Sequence, residues 1–516
     1  MDQLWNDMYA RGVGGDWFDT LRSIYARMEY VTANAGDDRF HSGVGLLTGD
    51  SLSPGLYNIR SARYSMPSSP ANVRLHGLEV SWLRLADDEL NGTTAFAELQ
   101  RQADTFESNS DEQRAHINIP KSHFMIHGPL PSPIPSLRVA GQPIALSKES
   151  KFAGVWISSV SANIFEPNYS IYAGKARNAA NTIFSVRHRT GQIPVDVGIN
   201  LYNARVDCYL IRAADIAIDV DGLVHMLEEV QRDFLRRLLG VGSRSLLAPL
   251  FTETGVMPIR YRRLILALKR VRYLTKLDFD RIPHRAFRDS IDLWQEGKPC
   301  WIADIAIALN SLPTPIITSP ADFMHERNVD DLIQEVTRVV DQDLQRQIDE
   351  SPKCRLLWGR LESVGDRKLG PVARRRRHYL TMVANADHRI ALTRLIFSNH
   401  CLSIELLRYP TRYRAAIPRD MRLCRFCLAS VEDEPHALLG CEADLTLRDL
   451  RDAFLREVFA ADSSLRTKYA LESDLEFLRS LLASRKTIVR FAKFVHDVLH
   501  RFRCLPAFVP NGFNFH

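Results

Sequence analysis

The sequence of 516 residues lacks any apolar run long enough to cross a membrane, and its N-terminus lacks the charged-then-apolar pattern of a signal peptide. Its eight cysteines are too scattered for a disulfide framework in a chain of this length. Internal repeats and low-complexity segments are also missing. These absences exclude a membrane-spanning protein, a disulfide-rich scaffold and a solenoid. They favour an intracellular globular protein with no membrane partner.

Charge is mild overall, at a net +6, but it is unevenly distributed along the chain. Residues 231–277 carry eleven lysines and arginines against only two acids, Asp233 and Glu253. Such a local excess is typical of a surface that binds a polyanion such as RNA or DNA. A solvated helix face would produce the same pattern, and composition does not separate the two.

Hydrophobic periodicity predicts an α+β chain that is mostly helical, and the chain length predicts two to four compact units. Short strands are expected within residues 76–90, 116–125 and 152–157. Helices are expected at residues 1–30 with a break at Gly12–Gly15, and at 96–106, 222–239, 260–277, 330–349, 374–397 and 446–460. Candidate linkers are the proline-rich stretches 311–320 and 351–353.

An acidic pair, Asp87 and Asp88, falls in the turn between two predicted strands. Adjacent carboxylates on a tight turn are what two-metal phosphoryl-transfer enzymes use to hold divalent cations. A surface turn without a bound metal would also contain such residues, so the interpretation of this pair as a metal site depends on the surrounding sequence. Earlier in the chain, Gly49 and Asp50 predict a chain reversal ahead of a helix that starts near Ser53.

Two basic features are open to more than one interpretation. Lys121 lies in a strand-like stretch, where it could bind a phosphate as a point charge or protect a strand edge from aggregation. Four consecutive arginines at 374–377 could form a nuclear-import patch, bind a phosphate backbone, or start a solvated helix.

The strongest local motif is Cys424-x2-Cys427-x8-His436-x4-Cys441. Three thiolates and one imidazole at this spacing are typical of a closed, tetrahedral zinc site. Because all four positions are filled, the zinc would be structural, and it would hold together a small unit with too little core of its own. The alternative is a chance cluster of free cysteines.

Taken in order, these motifs resemble the reverse transcriptase domain of fungal-type non-LTR retrotransposons. Residues 45–54 are similar to the family's Gly-x-x-Gln-Gly-Asp-Pro-Leu-Ser-Pro box, and Leu85–Asp88 is similar to its Tyr-Ala-Asp-Asp box. Residues 118–122 resemble the Asn-x-x-Lys-Ser/Thr box, and Phe152–Gly154 resembles the Tyr-Leu-Gly of a primer-contacting hairpin. The cysteine–histidine motif resembles a zinc-binding segment found downstream in the same family.

The resemblance implies an incomplete polymerase palm, a mostly helical thumb and connection, and a small zinc knuckle. The implied segments are partial fingers and palm at 1–160, thumb at 161–280, connection at 281–420, knuckle at 421–445 and helical tail at 446–516. Asp87 and Asp88 would bind magnesium for RNA-directed DNA polymerisation. Nucleotide or nucleic acid would be contacted by Gly49, Asp50, Lys121, Phe152, Gly154, Arg260, Arg262 and Arg263. Such a protein is expected in the nucleus with RNA or DNA as its partner.

The chain also departs from the family pattern. Leu85 stands in place of the tyrosine beside the metal site, and Glu89 stands in place of an apolar residue. The family's first catalytic aspartate would lie before residue 1, whereas a two-metal mechanism needs carboxylates from two strands. We therefore expect an N-terminally truncated, inactive polymerase. The alternatives are a non-catalytic, zinc-dependent nucleic-acid-binding protein and a fragment of a longer gene product.

The first prediction is that this chain does not extend a primer on an RNA template with magnesium or manganese. Loss of one side of the metal clamp removes most of the charge stabilisation on which phosphoryl transfer depends. Primer-extension assays on the purified chain measure this, with an Asp87→Asn, Asp88→Asn double variant as the control. Extension that disappears in the double variant would contradict the prediction.

Overall fold

The computed structural model describes residues 2–31, 39–40, 51–85, 88–113, 115–360, 362–364, 368–370 and 374–513. The protein is α+β and mostly helical, as predicted, and every sheet within these ranges has two strands. The chain forms two compact units, Met1–Pro167 with Leu277–Asp292, and Asn168–Lys276 with Leu293–His516.

The first unit begins with two short helices separated by a glycine turn. Gly12 and Gly15 have φ angles of 80° and 76°, which glycine adopts without strain, so the predicted break in the first helix is confirmed. Leu4, Met8 and Leu21 are buried in the core that these helices share with a third helix. The helices of this unit are Asp2–Ala10, Asp16–Ala26, Ser53–Ser61, Phe96–Glu112 and most of Ile282–Gln295.

The strands of the first unit pair two by two. Five pairs are antiparallel: Tyr30–Val31 with Arg39–Phe40, Val73–Leu75 with Leu78–Val80, Trp82–Leu85 with Asp88–Asn91, Arg138–Val139 with Gln142–Pro143, and Glu149–Phe152 with Val155–Ser158. One pair is parallel, His123–Phe124 with Ala145–Leu146. The predicted strand at 116–125 is therefore mostly wrong. Pro120 cannot donate a ladder hydrogen bond, and Ile119–Lys121 forms a 3-10 turn instead.

The segment Leu277–Asp292 belongs to the first unit because its helix binds a hairpin turn there. The His76 ring nitrogen Nδ1 lies 2.9 Å from a carboxylate oxygen of Asp292, and the Arg285 guanidinium donates to the His76 carbonyl over 3.2 Å. His76 and Gly77 both have positive φ, as a two-residue hairpin turn requires.

The second unit is built from helices of very different length. They are Glu166–Ser185, Arg187–Thr190, Val195–Leu201, Asp207–Leu210, His225–Leu239, Ala248–Thr254, Ile259–Thr275, Trp301–Asn310, Glu326–Asp349, Tyr379–Met382, Ala386–Ile396, Ser403–Leu406, Leu445–Ala461, Ser464–Leu471, Asp474–Ala483 and Ile488–Arg503. A single strand pair, Glu362–Val364 with Lys368–Gly370, accompanies them among the described residues.

Two predictions for this unit are wrong. The stretch 374–397 is not one helix, because the N–H groups of Arg375 and Arg377 donate to the carbonyls of Thr252 and Glu253, far away in the sequence, instead of to carbonyls one helical turn back. The supposed linker at 351–353 opens the 3-10 helix Pro352–Leu357, which buries Cys354, Leu356 and Leu357.

A buried arginine joins three segments of the second unit. The Arg263 side chain is 3 % exposed and donates to Asp219 over 2.9 Å. Its remaining N–H groups donate to the carbonyls of Leu210, Arg212 and Ala217 over 3.0–3.1 Å. A fully hydrogen-bonded buried pair of this kind is costly to break, because the surviving partner keeps an uncompensated charge.

The second prediction is that Arg263→Met lowers the free energy of unfolding by about 3–5 kcal/mol, since Asp219 is left buried and unpaired. Equilibrium urea unfolding followed by circular dichroism measures the change. Arg270→Met on the same helix is the matched control and is expected to change stability by less than about 1 kcal/mol, because Arg270 is partly exposed. Equal stabilities for the two variants would contradict the structural role of Arg263.

Candidate metal centre and nucleic-acid surface

The first two ligands of the cysteine–histidine motif lie on a tight turn. The Cys424 N–H donates to the Ser430 carbonyl over 2.8 Å, and the Leu428 N–H donates back to the Cys424 carbonyl over 2.9 Å. Leu428 closes the turn with a φ of 56°, which is uncommon for a leucine. The turn brings Cys424 and Cys427 to the same side of the chain, as a metal knuckle requires.

The other two ligands lie on either side of a single wide helical turn. His436–Gly440 forms a π-type turn, and the Cys441 N–H donates to the His436 carbonyl over 2.8 Å. A Cβ atom at Gly440 would lie 3.3 Å from Nδ1 of His436, so a side chain there would press on the imidazole. The turn therefore returns Cys441 beside His436.

The four side chains have the spacing of a tetrahedral site. Their ligand atoms all lie within 4.8 Å of one another. The Cys424 and Cys441 sulfurs are 3.7 Å apart, and the Cys427 sulfur is 3.4 Å from Nε2 of His436. A tetrahedron with Zn–S bonds of about 2.3 Å and Zn–N bonds of about 2.0 Å has edges of about 3.8 and 3.6 Å. The group can hold a metal ion, and its donors are compatible with zinc.

Burial shifts the pKa values of the four side chains in the absence of a metal ion. Burial raises the pKa of the Cys424 thiol to about 12 and also raises the pKa of Cys441. Burial acts in the same direction at Cys427, but hydrogen bonds from backbone N–H groups of the following turn outweigh it and lower that pKa. Burial lowers the pKa of His436, which keeps its imidazole neutral and able to bind metal. A metal ion must therefore displace thiol protons as it binds.

The knuckle is packed into the second unit, which corrects the expectation of a unit with little core of its own. Phe426 meets Phe502 edge to face, with ring centres 5.0 Å apart. Arg451 donates to the Cys441 carbonyl over 2.6 Å and to the Leu438 carbonyl over 3.2 Å. Both ends of the motif are thus attached to helices that follow it in the chain.

Part of the predicted polymerase site lies outside the described residues, namely Gly49, Asp50 and Asp87. Asp88 begins the strand Asp88–Asn91 and is exposed. Within the described ranges it belongs to no group of three metal-binding side chains. Its neighbour Glu89 is largely buried, and burial raises the pKa of that carboxyl to about 7 although the Arg84 guanidinium lies 3.9 Å away.

Phe152 and Gly154 lie at a hairpin, as the resemblance implied for this box. Phe152 pairs with Val155, and the two turn residues Ala153 and Gly154 have φ angles of 49° and 82°. Positive φ at both positions gives the turn that matches strand twist in a two-residue hairpin. Lys121 is exposed at the end of the 3-10 turn, and it is not part of a strand.

The arginines expected on a phosphate-binding face are paired with acids. Arg260 contacts Glu228 at 3.0 Å and Arg262 contacts Asp207 at 2.7 Å. Arg263 is buried on Asp219, which corrects the prediction that it contacts nucleic acid. These acids lie outside residues 231–277 in the sequence. The excess of basic over acidic residues counted there is therefore larger than the number of unpaired positive charges in the folded chain.

Aromatic and basic side chains occur together in an exposed segment that lies outside the sequence motifs described above. We call residues 408–414, Arg-Tyr-Pro-Thr-Arg-Tyr-Arg, the aromatic–basic loop. Tyr409 and Tyr413 are 40 % and 65 % exposed. The Arg412 guanidinium lies 4.8 Å from the Tyr413 ring centre. In the sequence, alternating arginine and tyrosine residues mark this segment.

More cations converge on the loop from distant segments. Arg244 and Lys353 lie 5.9 and 5.5 Å from the Tyr409 ring centre. Arg422, two residues before the first knuckle cysteine, donates to the carbonyls of Ile417 and Ile404 over 2.8 and 2.9 Å. These two residues flank the loop on either side, so Arg422 attaches its base to the knuckle.

No family model matches the chain, and no curated protein matches it either. Among the described helices, none combines the length and the apolar character that a membrane crossing requires.

The third prediction is that the chain, dialysed against zinc-free buffer, retains about one zinc ion, and that Cys427→Ser removes it. Elemental analysis measures the ratio. Cys208→Ser, which changes an exposed cysteine far from the motif in sequence, is the control and is expected to keep the ion. Full zinc retention in the Cys427 variant would contradict the assignment.

The zinc affinity of this site is expected to depend on pH. Protons compete with the metal for two to three thiolates, so affinity should fall by about 100- to 1,000-fold as the pH drops by one unit below neutrality. Competition with a chromophoric chelator at two pH values measures this fall. An affinity that stays constant would show that thiolates are not the ligands.

Proposed function

We propose that this chain is a reverse transcriptase-like protein of retroelement origin whose own function is to bind single-stranded RNA or DNA. The observation that carries the proposal is the aromatic–basic loop, with two exposed tyrosine rings and cations stacked beside them. Every base has a π-face, so exposed aromatic rings in a basic setting bind single strands with little sequence preference.

The proposed binding mode assigns separate tasks to the rings and the cations. One face of Tyr413 is covered by Arg412, which leaves the opposite face for an unstacked base. Tyr409 would take a second base, while the exposed Arg244 beside its ring neutralises a nearby phosphate. A duplex does not present free base faces, so the loop favours single strands.

Zinc would act on this surface indirectly. Cys424, Cys427, His436 and Cys441 would hold the ion, which supplies a rigid cross-link and no turnover, because no coordination position stays open. Arg422 connects the knuckle to the base of the loop. Loss of the ion should therefore weaken nucleic-acid binding by loosening the loop.

The polymerase ancestry is supported by the order of the sequence boxes and by two hairpins. Trp82–Leu85 and Asp88–Asn91 flank the Ala-Asp pair, and Glu149–Phe152 with Val155–Ser158 carry the Phe-Ala-Gly turn. In an active relative of this kind, Asp87 and Asp88 would bind magnesium, and Lys121 would contact a phosphate. In our proposal, these residues are remnants of an ancestral polymerase site, and the aromatic–basic loop carries the function of this chain.

The fourth prediction concerns the two tyrosines. Tyr409→Ala and Tyr413→Ala should each weaken binding of a labelled oligo(U) by about 5- to 150-fold, because each removes a stacking platform worth about 1–3 kcal/mol. Fluorescence anisotropy at constant salt measures the affinity. Tyr273→Ala is the matched control, since Tyr273 is 50 % exposed and has Arg270 5.2 Å from its ring centre, but lies on the helix Ile259–Thr275 and not in the loop.

Salt dependence separates the loop from the arginine-rich helix. Arg244→Gln should reduce the slope of log affinity against log salt by about 0.7, the value for one phosphate contact on a single strand. Arg260→Gln should leave the slope nearly unchanged, because Arg260 is paired with Glu228. Equal losses for Tyr273 and the two loop tyrosines, or no binding at low salt, would contradict the proposal.

A further inference from the structure

A second group of metal-binding side chains lies where two helices of the second unit pack together. His388 is in the first turn of Ala386–Ile396, and His496 and Asp497 are on Ile488–Arg503. The ring centres of the two histidines are 5.0 Å apart. Ligand atoms from all three side chains lie within 4.8 Å of one another.

Local structure holds these groups in place. The Asn385 side chain caps the first helix by accepting hydrogen bonds from the N–H groups of Asp387 and His388 over 2.9 and 3.1 Å. On the second helix, buried Val495 and Val498 face the core on either side of His496 and Asp497. The cluster therefore lies at the border of the helix interface, where all three side chains are half-buried and an ion can enter from solvent.

The charges around the cluster suit a cation that needs neutral imidazole. Burial and the nearby His496 lower the pKa of His388. Nδ1 of His496 lies 2.9 Å from Oδ1 of Asp497, which orients the ring. Lys493 is the competing cation, because its ammonium lies 2.8 Å from Oδ2 of Asp497. Asp387 is the other charged group near His388.

We propose that His388, His496 and Asp497 form a second metal site, for Zn²⁺ or a similar first-row divalent ion. Two imidazoles and a carboxylate are a donor set that such ions accept, and three protein ligands leave a position for water. The bound ion would cross-link the two helices. The site differs from the cysteine–histidine knuckle in having no thiolate and in being partly open, so it should bind more weakly and exchange faster. It depends neither on the knuckle's metal nor on the proposed nucleic-acid function.

Zinc stoichiometry tests the proposal on the untagged full chain. Equilibrium dialysis against excess zinc, followed by elemental analysis, should give about two ions per chain. The His388→Ala, His496→Ala double variant should give about one, and Cys427→Ser should also give about one, because each loses a different site. Circular dichroism checks that the variants fold. Two ions in the histidine variant, or one ion in the native chain, would overturn the proposal.

Two further variants guard against a purely structural effect. Lys493→Gln removes the competing ammonium and should tighten the second site by about threefold in zinc titration calorimetry. His500→Ala is the matched control, since His500 is an exposed histidine one turn further along the same helix, with its ring centre 6.3 Å from that of His496. An affinity lowered by Lys493→Gln, or lowered as much by His500→Ala as by His496→Gln, would overturn the proposed ligand set.

Discussion

The C-terminal part of the second unit is organised around one buried ion pair, Arg425 with Glu432. Their side chains are 3 % and 0 % exposed, and they meet at 2.6 Å. Such a pair is tolerated only when its remaining hydrogen-bonding groups are satisfied. Arg425 also donates to the carbonyls of Cys401 and Phe502, and Glu432 accepts from the backbone N–H and the hydroxyl of Ser403. The pair thus connects the knuckle turn to two other segments.

The position of Arg425 explains why the metal centre is not a separate module. It lies between Cys424 and Cys427, so the turn that presents two ligands is held by the same pair. A second buried carboxylate, that of Glu434, lies two residues before His436 in the sequence. Burial would raise the pKa of Glu434, but contacts with His400 and Arg355 lower it to about 2. The turn that carries the metal ligands is therefore supported by buried charged side chains, each of which contacts a partner of opposite charge.

The same principle determines which basic residues face outward. Glu253 is buried between Arg360 and Arg377, at 2.9 and 3.3 Å, and Arg263 is buried on Asp219. These arginines stabilise the interior and are not available to a polyanion. Arg244 and Arg412 are exposed instead, and they lie 5.9 and 4.8 Å from tyrosine ring centres of the aromatic–basic loop. The count of basic residues in a sequence window therefore does not show which arginines are exposed.

The sequence by itself determined the features that depend on neighbours in the chain. Helix periodicity located His225–Leu239, Ile259–Thr275 and Leu445–Ala461 to within a few residues, and ligand spacing identified all four knuckle side chains. The pattern at 152–157 was less informative, because it predicted one strand where the chain turns at Ala153 and Gly154.

Tertiary structure decided the features that join distant residues. The acids that neutralise Arg260 and Arg262 lie outside the basic window, and His388 meets His496 only because two helices pack side by side. The helix expected at 374–397 divides because its first residues bond to the segment at Thr252. Burial and charge pairing are properties of the folded chain, since they depend on which side chains folding brings within a few ångströms of each other.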